Sequence, residues 1–179
     1  MLDDYSFETY ENNEFPIAYL LTFRTYGTWH HGDERLSVGR NGTNVFGTPM
    51  IQPSVPFVES MRDRQAHPPF TLNVKQQKLV TETISEVCTF RRYFLRASSV
   101  RTNHVHVVSS AAVKPEKIVN DLKAYSTRKL REESEVPADL RIWARGASTR
   151  YLWKPKHVLA AVDYVLYCQE DIPFEFQET

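Results

Sequence analysis

Cysteine is nearly absent, with two in 179 residues. Neither Cys88 nor Cys168 has a partner at metal-ligand spacing, so both read as small thiols in a reducing compartment rather than as a disulfide framework or a thiolate zinc site. Long apolar runs are absent too. No stretch approaches the roughly 18 consecutive apolar residues of a membrane span, and the amino terminus Met1-Leu-Asp-Asp4 is acidic where a signal peptide is basic. The expectation is a soluble, cytoplasmic protein with no membrane partner. Internal repeats are missing as well.

Net charge is also absent, with 22 basic against 22 acidic residues, but the balance hides a segregation. Every Lys and Arg lies between Arg24 and Lys156, while nine acids sit in the flanks, leaving a body of about +9. The densest basic run, Lys114 to Lys156, suits a phosphate backbone. Glu116, Asp121, Glu132 and Glu133 are available to neutralise part of it as ordinary helix ion pairs, and charge alone does not separate the two readings.

With 41% hydrophobic residues the chain is long enough for one core, so a single domain over 1–179 is expected, with an acidic tail at 1–15. Pro16-Ile-Ala-Tyr-Leu-Leu-Thr-Phe23 is an apolar, β-favouring run and reads as a central strand. Residues 27–69 then form a Gly-, Pro-, Asn- and Ser-rich insertion in which only 57–64 suits a short helix. A connection of that length inside one domain points to a functional loop. Asn73 is a plausible cap for a helix through about Tyr93, and 94–100 and 105–109 read as strands joined by Arg101-Thr-Asn103. Pro115 opens a basic helix with Ile118, Val119, Leu122, Tyr125 and Leu130 on its apolar face, ending before Pro137. Tyr151-Leu-Trp153 reads as a last short strand, and Val158, Leu159, Val162, Val165 and Leu166 as a terminal helix stopped by Pro173. The order β-α-β-β-α-β-α predicts an α+β, ferredoxin-like antiparallel sheet with helices on one face, plus an extra carboxy-terminal helix and the long insertion after the first strand.

Within that frame one stretch stands out: Asn103-His104-Val-His106-Val. Strand side chains repeat direction every two residues, so His104 and His106 share a face, with Val105 and Val107 on the other. Two imidazoles side by side are half of a metal site or simply two polar residues on a half-buried strand. In the predicted topology they lie mid-sheet, where the terminal helix can cover them.

Three further segments accompany the pair in order: Lys123-Ala-Tyr-Ser-Thr-Arg128-Lys-Leu130, Trp143-Ala-Arg145-Gly-Ala-Ser148-Thr-Arg-Tyr-Leu-Trp153, and Asp163-Tyr164-Val-Leu-Tyr-Cys-Gln169. Together they resemble the HUH-type single-tyrosine transposases, including the REP-associated tyrosine transposases, from roughly Ala18 to Gln169. The resemblance implies a metal-dependent single-stranded DNA endonuclease and strand transferase of DNA transposition. His104 and His106 match the histidines that bind a divalent metal, Mg or Mn, which polarises the scissile phosphate. Tyr164 matches the nucleophile, whose attack leaves a 5′-phosphotyrosine link and a free 3′-hydroxyl. A phenolate leaves more readily than an alkoxide, so such a link can be reversed for strand joining.

Tyr125 and Tyr167 compete for that role; Tyr125 is expected in the core or against DNA, and Tyr167 lies off to the side of Tyr164 on the helix. The pattern departs from many relatives at the third ligand: four residues after the tyrosine stands Cys168, so Gln169, one residue out of register, takes the assignment. His30, His31 and Asp33 are alternative donors. For single-stranded or hairpin DNA, Lys123, Arg128, Arg145, Arg150 and Lys154 are the expected phosphate contacts. Trp29 is the expected base-stacking ring, and Trp143 and Trp153 serve equally as stackers or core. The insertion 27–69 is placed to recognise a hairpin or guide sequence, and a homodimer is expected. A domesticated protein that binds DNA hairpins without cutting is the alternative. A 2′,5′-type phosphodiesterase would need two His-x-Thr/Ser pairs, which the chain lacks, and a ferredoxin-like RNA binder would need aromatic strand motifs that are also missing.

Overall fold

The computed structural model describes residues 14–30 and 51–167. Their elements run β1 (Ala18–Arg24), α1 (Val55–Asp63), α2 (Val74–Arg91), β2 (Phe94–Val100), β3 (His104–Ser110), α3 (Pro115–Glu133), β4 (Ser148–Leu152) and α4 (Pro155–Tyr167). The expected order therefore holds, with α1 as the short helix foreseen inside the insertion. Of the sequence assignments, most of the acidic tail, His31, Asp33, Cys168, Gln169 and residues 31–50 of the insertion lie outside the described residues.

The four strands form one sheet in the order β2-β3-β1-β4, every neighbouring pair antiparallel. This is the ferredoxin-like arrangement, with β1 and β3 at the centre. β1 lacks polar alternation over residues 18–21 because both faces are covered there: Tyr19, Leu21 and Phe23 join Val105 and Val107 of β3 beneath Val80 and Ile84 of α2 and Ile118 and Leu122 of α3. On the opposite face Ala18, Leu20, Ala97, Val108 and Leu152 meet Val158, Ala161 and Val165 of α4. Thus α2 and α3 build the main core, and α4 covers part of the side on which His104 and His106 stand.

Local signals set the element ends. Asn73 and Gln76 form a reciprocal capping box at the start of α2, with bonds of 2.9 and 3.0 Å, and Arg92 in the left-handed region ends that helix. Proline occupies the first turn of α3, where its missing N–H costs nothing. β4 begins earlier than Tyr151 and stops at Leu152, because its ladder to β1 starts at Ser148 against Thr22. Gly27 has φ +72°, and a Cβ there would come within 3.0 Å of the Pro69 backbone, so the start and end of the long insertion touch where only glycine fits. Among the described residues no helix is long and apolar enough to cross a membrane.

Candidate active site

β3 carries the site because its two faces differ in chemistry. Val105 and Val107 are fully buried in the main core, which fixes the register, since a slip of one residue would put both imidazoles into that core. His104 and His106 consequently share the opposite face, their ring centroids 4.8 Å apart and edge to face. β1 supports them from one side: Arg24 stands opposite His104 and Thr22 opposite His106. Ser99 of β2 stands opposite His106 on the other side.

Each ring is held through Nδ1. His104 Nδ1 donates to the Asn103 side-chain oxygen at 2.6 Å, and His106 Nδ1 is hydrogen-bonded to Thr22 Oγ1 at 2.8 Å. Polar partners on the inner nitrogen orient an imidazole and direct the Nε2 lone pair to a metal. Burial, reinforced by His104, Arg24 and Arg101, pushes the His106 imidazole down to about 3, so it is neutral across the physiological range, as ligation requires. A neutral imidazole at His106 and a second, oriented one at His104 fit two positions of a divalent ion of intermediate hardness. Among the described residues no group of three or more His, Cys, Asp or Glu side chains converges, and Gln169 lies beyond them.

Tyr164 comes to the pair from α4. Val158, Ala161 and Val165 seat the helix on the sheet, and Tyr164 projects from the same side, its ring 5.4 Å from that of His106 and edge to face. The two competing tyrosines, Tyr167 and Tyr125, are elsewhere. Tyr167 is 77% exposed. Tyr125 lies in the helical layer across the sheet, beside Phe90 and under the guanidinium groups of Arg91 and Arg128.

The basic residues of the Lys114 to Lys156 segment are divided between the two faces of the sheet. α3 packs on the face away from the histidines, and Lys123 there donates to the backbone carbonyls of Ala144, at 3.0 Å, and Gly146, tying the loop before β4 to the helix. Arg128 lies over Tyr125, 5.3 Å from its ring centroid. Arg150, opposite Leu20 in the β1–β4 register, is on the histidine side. Arg145 and Lys154 are exposed, before β4 and at the start of α4.

The aromatic candidates divide similarly. Trp143 belongs to the main core, 7% exposed and edge to face with Phe23, and Trp153 stacks on Tyr151. Trp29 lies beneath Arg24, whose guanidinium carbon is 3.4 Å from the indole centroid. His30 is buried, its Nε2 3.2 Å from Gln65 Nε2. Thr22 and Arg24 carried no assignment in the sequence, and Arg101 and Asn103 stood there only as the turn that leads into β3. The alternation Leu20, Thr22, Arg24 on β1 was the available signal, but it acquires meaning only once β1 is paired with β3.

A ferredoxin-like domain with a histidine pair on its central strand and a tyrosine delivered by the terminal helix defines the class. The sequence matches the model of the IS200-like transposases over residues 58–166, more than half of the chain, and the protein belongs to that family of HUH-type single-tyrosine transposases. Its fold is similar to a solved REP-associated tyrosine transposase bound to a REP hairpin, with 10% identity over 83% of this chain and 63% of that one and a TM-score of 0.46. The chain thus spans a little under two thirds of that protein. No curated protein matches it.

Proposed function

We propose that the protein is a metal-dependent single-stranded DNA endonuclease and strand transferase that works through Tyr164. The observation that carries this is the packing of the Tyr164 ring edge to face with His106, 5.4 Å between centroids, on the side of the sheet where His104 and His106 are held through Nδ1. His104 and His106 are the residues that would hold a divalent ion, with Gln169 as the candidate third ligand. When bound, such an ion supplies Lewis-acid polarisation of the scissile phosphate.

The residues of the chain supply the rest. The phenolic oxygen of Tyr164 attacks phosphorus, losing its proton, as the bond to the 3′-oxygen breaks and that oxygen takes up a proton. A 5′-phosphotyrosine and a free 3′-hydroxyl result. Attack by a second 3′-hydroxyl reverses the sequence and joins strands. Asn103 and Thr22 keep the imidazoles in place throughout, and the apolar seat of α4 sets where Tyr164 stands. Arg150, on the histidine face opposite Leu20, would meet a strand bound on this side of the sheet. Unpaired DNA, including strand beside a hairpin, is the substrate class the reading requires.

The test is covalent capture. With manganese and labelled single-stranded DNA carrying a hairpin, the wild type should give a DNA adduct that survives denaturation, and Tyr164→Phe should give none. Tyr125→Phe should keep it. DNA bound tightly by the wild type with no adduct would instead mark a hairpin-binding protein that no longer cuts.

A further inference from the structure

Arg101 has no part in the assignments above beyond leading the chain into β3, yet it stands beside the histidine pair. Its backbone N–H donates to the His104 carbonyl at 2.8 Å, one step beyond the Val100–Val105 pair that ends the β2–β3 ladder. Val100 packs against the main core, so strand alternation turns Arg101 to the histidine side. The turn that follows is clamped from both flanks: Leu72 N donates to the Thr102 carbonyl at 2.7 Å and Thr25 N to the Asn103 carbonyl at 2.9 Å. Arg24 stands opposite His104 on β1, so His104 lies in a row between two arginines. The Arg24 guanidinium rests on Trp29, whereas the Arg101 side chain is exposed and makes no hydrogen bond, ion pair or ring contact among the described residues. Both charges bear on His106, and no carboxylate is among the groups that act on it. Positive charge gathered around two imidazoles suited to hold a cation is repulsive unless an anion joins it.

We propose that Arg101 binds a phosphate of the DNA strand lying at His104 and His106, its guanidinium fork holding two non-bridging oxygens from the β2 side of the pair. This rests on the nuclease reading, since it requires a strand at the histidines, but it concerns binding and not cleavage. A phosphate is the anion that fits, because its oxygens match the spacing of the in-plane N–H donors of a guanidinium. With the turn already clamped at Thr102 and Asn103, binding orders only the side chain of Arg101 and not the backbone beneath it.

The experiment measures binding of a fluorescent single-stranded oligonucleotide of mixed sequence across a salt series, in chelator and without metal, so that no cleavage intervenes. Arg101→Gln should reduce the magnitude of the log–log salt slope by about 0.7, the share of one phosphate on a single strand. Lys78→Gln, on α2 and ion-paired with Glu82 on the exposed surface, should leave the slope unchanged. Arg101→Lys should keep the slope, because the charge remains, but weaken binding about tenfold through loss of a charge-assisted hydrogen bond of the fork. An unchanged slope in Arg101→Gln, an equal loss of slope in Lys78→Gln, or no measurable binding by the wild type overturns the proposal, and wild-type affinity in Arg101→Lys overturns the part given to the fork. If thermal melting shows Arg101→Gln unfolded, Arg101→Lys decides alone: weaker binding with retained slope supports the proposal, and wild-type affinity overturns it. An adduct formed by a protein whose slope ignores Arg101 sinks this inference alone, whereas a slope that depends on Arg101 without any adduct sinks the nuclease reading alone.

Discussion

At the scale of single residues, His106 is a strongly perturbed group of the site. Its imidazole is driven down to about 3, first by burial and then by His104, Arg24 and Arg101, whereas an unfolded chain returns it to about 6.5. Between those values the unfolded state binds more protons, so the stability tied to the neutral ring is complete above about pH 6.5 and is lost as the pH falls toward 3. Thermal melts of wild type and His106→Gln should therefore converge or cross as the pH drops through that window, with the steeper fall in the wild type. Parallel curves would show that His106 is solvated in the folded protein. His104→Ala and His106→Ala should abolish adduct formation yet keep most DNA affinity, because phosphate contacts rather than a metal supply it; a filter-binding assay beside the adduct assay separates the two effects. Both histidines were legible in the sequence, since period two on a strand decides their common face. Their supports were not, because the pairing of Thr22 with His106 and of Arg24 with His104 joins residues that no local pattern connects.

At the scale of elements, α4 decides whether the tyrosine reaches the pair. Ala161 is fully buried on the underside of the helix, near Leu20 and Val108 in the second core, and there is no room for a larger side chain without moving the helix. Ala161→Leu should cost about 1–3 kcal/mol by overpacking and lift Tyr164 away from His106. The expected result is a lower rate of adduct formation with DNA affinity nearly unchanged; an unaltered rate would show that the seat of α4 does not set the position of Tyr164. The helices themselves were readable from capping and proline signals at Asn73 and Pro115. The beginning of β4 at Ser148 was not, because Ser148-Thr149-Arg150 is a polar run without apolar alternation that is recruited by the edge of β1.

At the scale of the whole molecule, the sheet divides the basic residues that run together in the sequence. Lys123 and Arg128 go to the helical face, Arg150 to the histidine face, and segregation along a chain is therefore no guide to segregation in space. Arg150→Gln should weaken single-stranded DNA binding and flatten its salt dependence by about 0.7 in log–log slope, while Arg128→Gln should do neither. Equal effects of the two would mean that the strand also runs over α3. The fold class could be read from the order of elements alone, since β-α-β-β-α-β leaves few compact sheet arrangements. That the last helix covers the histidine face was expected from the topology and the family resemblance, not from apolar patterning, because Ala161, Val165 and their partners are as apolar as the residues of the main core.

The division into two cores has a further consequence for how the molecule comes apart. β3 is bonded on both edges and anchored by the larger core, whereas α4 rests on a smaller set of contacts formed by Ala18, Leu20, Ala97, Val108 and Leu152. Local opening follows such differences. Amide hydrogens of Val105 and Val107 should exchange with solvent only through global unfolding, and those of α4 much sooner. The histidines thus form the stationary half of the site and the tyrosine the detachable half, so, under the nuclease function proposed above, a helix bearing a covalently attached strand could leave and return while the sheet that receives it stays folded.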